Sequence, residues 1–400
     1  MDGEKWIVRK LTSEDADQYN RLLRYAFQVT EKTLLDIGWA DDEIKQSKFP
    51  VLERADVWGC FDGGDIVSQF AAYPLEMNIH GAICPVTFVT SVCTYPEYSG
   101  KGLMKKLMVR SLTEMREKRQ PLALLYPYSI PLYRKRGWEI VSDKMSFRIR
   151  DVQLPRPEGV DGYVRRVSWD NPDFTALHSR FAAQTHGCLF RNLLAWDEYW
   201  RWDEDDTSVA LYYREDGRPL AYMVYLIKND TMHIKEMIYL NAEGRRGLWK
   251  YIGAHESMVN EVVGANYFGE PIAFYLDDSD IQETIRPYIM GRIVDVEEFL
   301  RQYRCSPRIS GTVTLEITDP LLPWNNRAFH LEFYDGSVRQ WKTGTNRSAA
   351  MSIGTLTTLL LGYKRASELA ALGRIRTDPE TLQLLDHVLL HKKPYISDYI

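Results

Sequence analysis

Residues 86–119 read VTFVTSVCTYPEYSGKGLMKKLMVRSLTEMREKR, and this stretch decides the fold of the first part of the chain. Its β-branched beginning predicts a strand that ends near Thr94. A loop with Gly100 and Gly102 follows, and a helix is predicted to begin at about Leu103. Because glycine adopts positive φ and lets a ligand approach the backbone, the loop and the amides of the helix N-terminus predict a site for a phosphate or pyrophosphate.

The charge distribution agrees with an anion site in this region. Between Glu97 and Arg150 the sequence has 13 Lys/Arg and 5 Asp/Glu, although the whole chain has a formal net charge of −5. The loop has neither the spacing of a P-loop nor the full G-x-G-x-x-G of a dinucleotide site. Two interpretations stay open on these residues alone: a site for an anionic cofactor, or a βα turn beside a solvated basic helix face.

Length and composition exclude several classes of protein. The chain has 400 residues, of which 45% are hydrophobic and 26% charged, so several packed domains are expected rather than a disordered chain. The acidic balance gives no support to nucleic-acid binding. The N-terminus lacks a secretory signal and no apolar run reaches spanning length, which predicts a cytoplasmic protein with no membrane span. The cysteines are too scattered for a disulfide framework or a zinc motif, so no metal is predicted.

The segments on either side of residues 86–119 predict a mixed α/β domain that ends near residue 150. Before this stretch, the sequence predicts a strand at 6–11, an amphipathic helix from about residue 16, and hairpins over 57–73 and 75–83. After it come a strand at 122–126, a short helix at 131–136 and a strand at 138–149. Prolines and glycines then predict a linker at 150–162.

The rest of the chain predicts two further regions. A hairpin, a strand, a glycine-bearing basic loop at 241–247 and a helix at 248–263 repeat the order of the first region. We therefore predict an internal duplication, with two unrelated α/β segments as the alternative. From about residue 290, alternating strands are followed by helices. The apolar tail Tyr395–Ile400 predicts a buried chain end, because exposed termini are usually polar.

Two motifs give the chain a family resemblance. The loop Glu97–Gly102 resembles the acyl-CoA loop of the GNAT N-acetyltransferases, [Q/R]-x-x-G-x-[G/A], with Glu97 in place of Gln or Arg. Residues 130–138, IPLYRKRGW, resemble the GNAT ending in which a tyrosine precedes a Gly-aromatic turn. Together with the three-part layout and the tail at 393–400, these motifs make the whole chain similar to the Eis (enhanced intracellular survival) family.

The resemblance implies a layout and an assembly. The fold class is then α/β (α+β), with tandem GNAT domains of mixed sheet and flanking helices, followed by a sterol-carrier-like α+β domain. The implied domains are a catalytic, acetyl-CoA-binding GNAT domain at 1–150, a degenerate second GNAT domain at 151–290, and a C-terminal domain at 291–400 whose end reaches the active site. The family also implies a symmetric homo-oligomer, often a hexamer.

The resemblance further implies the chemistry. Acetyl-CoA would acetylate an amine directly, either an aminoglycoside-like polyamine or a lysine side chain, without a metal. Tyr133 matches the family's general acid, and the terminal carboxylate, here that of Ile400, its base. The implied cofactor-binding residues are Val92, Cys93, Thr94, Tyr98, Ser99, Gly100, Lys101, Gly102 and Leu103. Candidate residues of the amine pocket are Phe27, Asp36 and Trp39.

Competing interpretations remain for several residues. Cys93 next to the loop could form a covalent acyl-enzyme, but no histidine is near it in sequence, so a small buried strand residue is the better interpretation. His387 and His391 lack the glutamate of a metalloprotease helix. A lipid or sterol carrier, or an interaction protein built on a non-catalytic GNAT scaffold, is the alternative to an enzyme.

Overall fold

The computed structural model describes residues 6–36, 48–203, 206–340 and 343–400. Within these residues, three β-sheets carry helices on their faces, in the mixed α/β arrangement that the sequence predicts. The helices are α1 Ala16–Phe27, α2 Glu31–Asp36, α3 Phe49–Arg54, α4 Leu103–Glu117, α5 Ile130–Arg134, α6 Pro172–Gln184, α7 Leu193–Trp200, α8 Ala242–Gly253, α9 Val296–Gln302, α10 Ile353–Leu360, α11 Ala366–Ala371 and α12 Pro379–Val388. None of these described helices is long and apolar enough to cross a membrane.

The first sheet is built mainly from the first 140 residues. Its strands are β1 Ile7–Lys10, β2 Asp56–Asp62, β3 Asp65–Ile79, β4 Ala82–Thr94, β5 Leu122–Leu125, β6 Glu139–Ile140, β9 Leu189–Phe190 and β15 Met290–Ile293. Their order is β1-β2-β3-β4-β5-β15-β6, with β9 paired to β3. Only β4 and β5 are parallel neighbours here, and the crossover helix α4 connects them.

The second sheet repeats this plan. Its strands are β7 Asp143–Arg150, β8 Tyr163–Val167, β10 Ser208–Tyr213, β11 Pro219–Lys228, β12 Thr231–Tyr239, β13 Glu261–Asn266 and β14 Gln282–Pro287, in the order β14-β7-β13-β12-β11-β10-β8. Here β12 and β13 are the parallel neighbours and α8 is the crossover. The glycine-bearing segment at 241–247 is therefore the start of a helix rather than a loop, and the predicted helix at 248–263 ends earlier, at Gly253.

The two sheets exchange strands. The strand predicted at 138–149 divides into β6 in the first sheet and β7 in the second, where β7 pairs with β13 and β14. In return, β15 pairs with β5 and β6 of the first sheet. The second sheet thus contains β7, which lies before the boundary predicted at 150, and the first sheet contains β15, which crosses the boundary predicted at 290. Both boundaries stay predictions.

The third sheet belongs to the C-terminal region. Its strands are β16 Gly311–Thr318, β17 Ala328–Tyr334, β18 Ser337–Gln340, β19 Ser348–Ser352 and β20 Ile375–Thr377, in the order β18-β17-β16-β19-β20. Helix α10 is buried at every position. Thr357 Oγ1 accepts a hydrogen bond from the Ile293 amide at 3.0 Å, and Thr358 Oγ1 donates one to the Ile140 carbonyl at 2.8 Å. These bonds attach the C-terminal region to the β15–β6 edge of the first sheet.

Candidate active site

A wedge opens in the first sheet where β4 and β5 separate. Their parallel pairing covers Val86–Val89 and Leu122–Leu125, yet β4 continues to Thr94. Just beyond the last pair, the register of β4 against β3 shifts, and Ser91 adopts φ +54°. Positive φ is uncommon for a residue other than glycine, and it marks a β-bulge here. The bulge leaves backbone groups of β4 outside the ladder and beside the wedge.

The loop after β4 presents backbone amides at one end of α4. Gly100 and Gly102 have φ +75° and +79°, and Gly102 is the N-cap of the helix. A Cβ at either position would meet no atom within 4 Å, so the dihedral angle rather than space requires glycine. The Lys106 amide donates to the Gly102 carbonyl at 3.0 Å, and the amides that precede it have the unpaired geometry of a helix N-terminus. Such amides favour an anion, as predicted from the sequence.

Side chains around this loop add positive charge and hold its shape. Tyr98 donates to Asp62 Oδ2 at 2.9 Å, and Lys101 Nζ lies 4.3 Å from the centre of the Tyr98 ring. Ser99, Gly100 and Lys101 are exposed, as is Glu97, while Leu103 is buried as the first residue of α4. The loop thus exposes its backbone amides to solvent, and the buried first residue of α4, Leu103, anchors it to the core.

Cys93 lies in β4 next to the bulge, and its environment keeps the thiol neutral. The side chain is buried, its thiol lies 3.5 Å from the Ser91 carbonyl, and burial raises its pKa to about 12. A thiol nucleophile needs its thiolate form. The residue therefore supports direct transfer rather than a covalent acyl-cysteine. The neighbouring Thr94 has its Oγ1 2.7 Å from Ser68 Oγ, and Val92 is partly buried against the cluster that contains Val89 and Leu125.

Tyr133 lies in α5 at the edge of the wedge. Its ring packs against Trp138 at 6.0 Å in an edge-to-face arrangement, within the cluster that contains Val89 and Leu125. Burial raises the Tyr133 pKa to about 12. The phenol thus keeps its proton at neutral pH.

A cavity of about 550 Å³ lies on the other side of the β4 bulge. Its lining is Asn20, Leu23, Arg24, Phe27, Val29, Leu34, Lys48, Tyr73, Thr90, Ser91, Glu198, Arg201, Trp202, Tyr399 and Ile400. Phe27, predicted for the amine pocket, is half-exposed and lines it. Asp36 ends α2 without a described side chain, and Trp39 lies outside the described residues. Ile400, the last residue, is partly buried and lines the cavity together with Thr90 and Ser91.

Sequence reasoning missed the polar residues of this cavity. Tyr73 donates to Glu198 Oε1 at 2.8 Å, and Arg201 Nε lies 2.9 Å from Glu198 Oε2. Glu198 stands in α7 of the second domain, and Tyr73 in β3 of the first. The sequence signal that could have identified Glu198 is a charged residue within the apolar and aromatic residues of α7. The local sequence, however, does not indicate that α7 lies beside β4.

A buried ion network holds the C-terminal tail, residues 389–400. Arg191 donates from Nε to Asp398 Oδ1 at 2.7 Å and from Nη2 and Nη1 to both oxygens of Glu236 at 2.7 and 3.0 Å. All three side chains are at most 3% exposed. Arg191 lowers the pKa of Glu236 to about 2 against the effect of burial, while burial raises the pKa of Asp398. Two carboxylates share one guanidinium, which fixes the tail two residues before its end.

The tail packs into the second domain's counterpart of the wedge. Pairing of β12 with β13 ends at Ile234 and Gly264, and a register shift follows in β12 at Lys235, as in β4. Ser397 donates to Glu236 at 2.6 Å just beyond this point. The Tyr395 ring lies 4.9 Å from Phe268 and 4.9 Å from Phe181. The predicted burial of the tail is confirmed for Tyr395, Ile396 and Asp398, which are at most 3% exposed, whereas Tyr399 is 54% exposed.

The second domain lacks the features of an anion loop. Only residues 240 and 241 separate β12 from α8, against residues 95–102 between β4 and α4. The side chain of Asn241 caps α8 by accepting from the Gly244 amide at 2.9 Å. A Cβ at Gly247 would lie 2.2 Å from the Tyr212 ring, so this glycine serves close packing. Among the described residues, no group of three or more His, Cys, Asp or Glu could hold a metal, and His391 Nε2 instead bonds to the Asp386 carbonyl.

Comparisons with known proteins agree with this architecture. Residues 7–141 and 187–293 each match a family described as an acetyltransferase (GNAT) domain, and residues 296–397 match a sterol carrier protein domain. An uncharacterized N-acetyltransferase from Streptomyces griseus is 22% identical, with 92% of each chain covered. The N-acetyltransferase Eis from Mycobacterium tuberculosis is 23% identical over 82% of this chain and 84% of its own length.

Solved structures extend the likeness over the whole chain. A conserved protein of unknown function from Enterococcus faecalis, described as a probable N-acyltransferase, has a TM-score of 0.90 at 26% identity and covers 99% of both chains. Eis1 from Mycobacterium abscessus has a TM-score of 0.83 at 18% identity over 98% of this chain and all of its own, which shows the fold. The tandem-GNAT and sterol-carrier layout is thereby confirmed, and a non-catalytic scaffold is not favoured. The chain belongs to the GNAT acyltransferases, with two GNAT domains, and over most of its length it is similar to the Eis-type N-acetyltransferases.

Proposed function

We propose that this enzyme transfers an acetyl group from acetyl-CoA directly to an amine bound in the cavity beside the β4 bulge. One observation carries the proposal: the terminal residue Ile400 and the bulge residues Thr90 and Ser91 line the same cavity. The chain end thus meets the strand that would hold the thioester. GNAT N-acetyltransferases use acetyl-CoA, whose thioester supplies an activated acetyl group.

The residues predicted to hold the cofactor fit its chemistry. The amides of Gly100–Leu103, with Tyr98, Ser99 and Lys101 around them, suit a pyrophosphate, since a helix N-terminus favours anions. The edge of β4 at Val92, Cys93 and Thr94 offers backbone groups beside the wedge to an extended pantetheine arm. The departure at Glu97 affects only a side-chain contact and leaves the amides in place.

The chain's own groups supply the proton transfers. The terminal carboxylate of Ile400 accepts a proton from the substrate's ammonium group, directly or through water, and releases it to solvent. The neutral amine nitrogen then bonds to the acetyl carbon, the carbon–sulfur bond breaks, and Tyr133 protonates the departing sulfur. The second proton of the attacking nitrogen leaves through water and restores the Tyr133 phenol, which gives the neutral amide and the free thiol. Because burial raises the pKa of Tyr133 to about 12, its proton is present at neutral pH. The neutral, buried thiol of Cys93 supports a single direct displacement.

The test is acetyl-CoA turnover against an amine panel that includes aminoglycosides, polyamines and lysine derivatives, with the free thiol and the acetylated product both measured. Tyr133→Phe should lower kcat by about 10²–10⁴-fold, the usual contribution of a positioned acid. The control is Tyr303→Phe, which removes another buried phenol remote from the wedge. Wild-type rates for Tyr133→Phe across the panel would refute the assignment of the acid.

The base is tested at the chain end. Extending the chain by two residues beyond Ile400 moves the carboxylate, whereas Ile400→Leu keeps it in place. We expect the extended chain to lose turnover and the substituted chain to retain it. Unchanged turnover by a folded extended chain would rule out the carboxylate role.

The symmetric hexamer and the cytoplasmic location stay predictions. Light scattering of the purified protein would test the hexamer.

A further inference from the structure

Ser91 has a backbone conformation that is unusual for a residue inside a strand. It adopts φ +54° within β4, whereas every other non-glycine residue with positive φ among the described residues lies at a helix end or in a turn between two strands. Its neighbours Thr90 and Cys93 pair with β3, but Ser91 lies in the register shift between them. Glycine adopts such a conformation more readily than serine. The presence of a side chain at this strained position therefore points to a use for its hydroxyl.

A buried tyrosine holds the Ser91 hydroxyl. Tyr19 of α1 is fully buried and donates from its hydroxyl to Ser91 Oγ at 2.8 Å. Gln69 of β3 donates from Nε2 to the Tyr19 carbonyl at 3.1 Å. The Ile66 amide of β3 donates to the side chain of Gln18, the residue before Tyr19, at 2.8 Å. These bonds attach α1 to β3 and thereby fix the phenol relative to β4.

The Ser91 end of this pair lies where the acetyl donor and the amine meet in the proposed function. Ser91 lines the amine cavity together with Ile400, whereas Tyr19 belongs to the hydrophobic core. A hydroxyl that accepts a hydrogen bond becomes a stronger donor through its own proton, because hydrogen bonds in a chain polarise one another. Donation from Tyr19 therefore prepares the Ser91 hydroxyl to donate toward the reacting groups.

We propose that Ser91 is a catalytic residue whose hydroxyl donates a hydrogen bond to the acetyl carbonyl oxygen, and that Tyr19 is the positioning residue that holds it. Negative charge develops on this oxygen when the amine attacks, so the bond is stronger in the transition state than in the ground state. The proton stays on Ser91 Oγ, and the proton transfers of the proposed function are unchanged. The inference rests on that function and adds a side-chain donor to the backbone groups of β4.

The first test is Ser91→Gly in the full chain, with the amine of the panel that the wild type acetylates fastest. Glycine suits φ +54°, so the variant removes the hydroxyl and leaves the strand in place. We expect kcat to fall about 10²–10³-fold, the usual loss for one donor to an oxyanion, while the KM for acetyl-CoA stays near the wild-type value. The matched control is Asn229→Gly, at φ +51° in the turn between β11 and β12, which should keep the wild-type kcat.

A double-mutant cycle tests Tyr19. Tyr19→Phe removes only the phenolic hydroxyl and should lower kcat about tenfold, the contribution of one hydrogen bond. In the Ser91→Gly background it should cause no further loss, because Tyr19 acts through Ser91. The double variant leaves neither partner buried and unpaired, so it measures the loss of both hydroxyls even if Ser91→Gly alone is unstable. The control is Tyr225→Phe, which breaks another buried hydroxyl pair, with Tyr251 at 2.7 Å in the second domain.

The outcomes separate this inference from the proposed function. A wild type that acetylates no amine of the panel would refute the proposed function and this inference with it. If the wild type is active, a folded Ser91→Gly variant or double variant with the wild-type kcat would overturn the role of Ser91 alone. Equal losses from Tyr19→Phe in both backgrounds would show that Tyr19 acts through packing and would overturn its positioning role.

Discussion

Arg191 connects the stability of the fold to the position of the chain end, and its removal should damage both. The guanidinium makes three bonds of 2.7–3.0 Å to Glu236 and Asp398, and none of the three side chains is more than 3% exposed. Arg191→Met would leave two buried carboxylates without a cation. Breaking a buried ion pair in this way costs about 3–5 kcal/mol. Burial alone would raise the pKa of Glu236, and Arg191 instead holds it below its usual range, which agrees in direction with a stabilising ion pair.

The assay is urea unfolding together with steady-state kinetics. Arg191→Met should lose about 3–5 kcal/mol of unfolding free energy. Its kcat should fall because the Ile400 carboxylate is displaced, while the KM for acetyl-CoA stays near the wild-type value because the loop at Gly100–Leu103 lies in the other sheet. This split between kcat and KM identifies Arg191 as a positioning residue.

A second variant separates position from stability. Adding Glu236→Gln and Asp398→Asn to Arg191→Met removes every charge of the network, which is often close to neutral for stability. We expect this triple variant to regain much of the unfolding free energy but not kcat. Recovery of both would show that the network only stabilises. An Arg191→Met variant within 0.5 kcal/mol of the wild type, the usual range for surface substitutions, would refute the energetic reasoning.

Three further predictions follow from local geometry and titration. Gly102→Ala places a Cβ at φ +79°, at a cost of about 1–2 kcal/mol, so the KM for acetyl-CoA should rise several-fold, whereas Gly63→Ala, at φ +62° in a hairpin turn, should not affect it. Burial lowers the pKa of Lys48 from 10.5 in the unfolded chain to about 8 in the folded protein, so the charged side chain reduces the free energy of unfolding at pH 7 by roughly 3 kcal/mol. Lys48→Met should raise the free energy of unfolding by up to that amount at pH 7, and this gain should disappear near pH 10.5. Burial lowers the pKa of His80 to about 4 and the pKa values of His178 and His186 to about 3, so below pH 6.5 the unfolded chain binds protons that the folded chain does not. The urea midpoint should therefore fall between pH 6.5 and 5, where carboxylates contribute little, and a constant midpoint over this range would contradict the prediction.

The structure of residues 86–119 was predictable because the sequence signals for it are local. A β-branched run, two glycines and an amphipathic repeat predict a strand to Thr94 and a helix from Leu103, and the structure has β4 ending at Thr94 and α4 beginning at Leu103. These features depend on backbone preferences of neighbouring residues. The wedge itself follows from the order of strand, loop and helix, since such a connection joins parallel strands.

The parts that could not be predicted depend on contacts between distant segments. The strand predicted at 138–149 divides between two sheets, because its second half pairs with residues 261–266 and 282–287. Lys48, Tyr73 and Glu198 meet in one cavity only after the second domain docks on the first. At 241–247 the glycines resembled a second loop, but Asn241 caps a helix there and Gly247 packs on Tyr212. The two segments have similar local composition, and tertiary packing determines that 241–247 begins a helix instead of forming a loop.

If the chain end acts as the proposed catalytic group, the second domain explains how it is held in place. A free terminus normally frays, and a carboxylate on a mobile tail would spend little time beside an amine. Here β12 keeps the bulge and the wedge of a GNAT strand, but the short connection to α8 has removed the anion loop. The tail packs there through Tyr395 and Ser397, and Arg191 fixes Asp398 two residues from the end. In the proposed function, the same strand geometry would thus be used twice, in the first domain for the acetyl donor and in the second to direct the Ile400 carboxylate toward the acceptor.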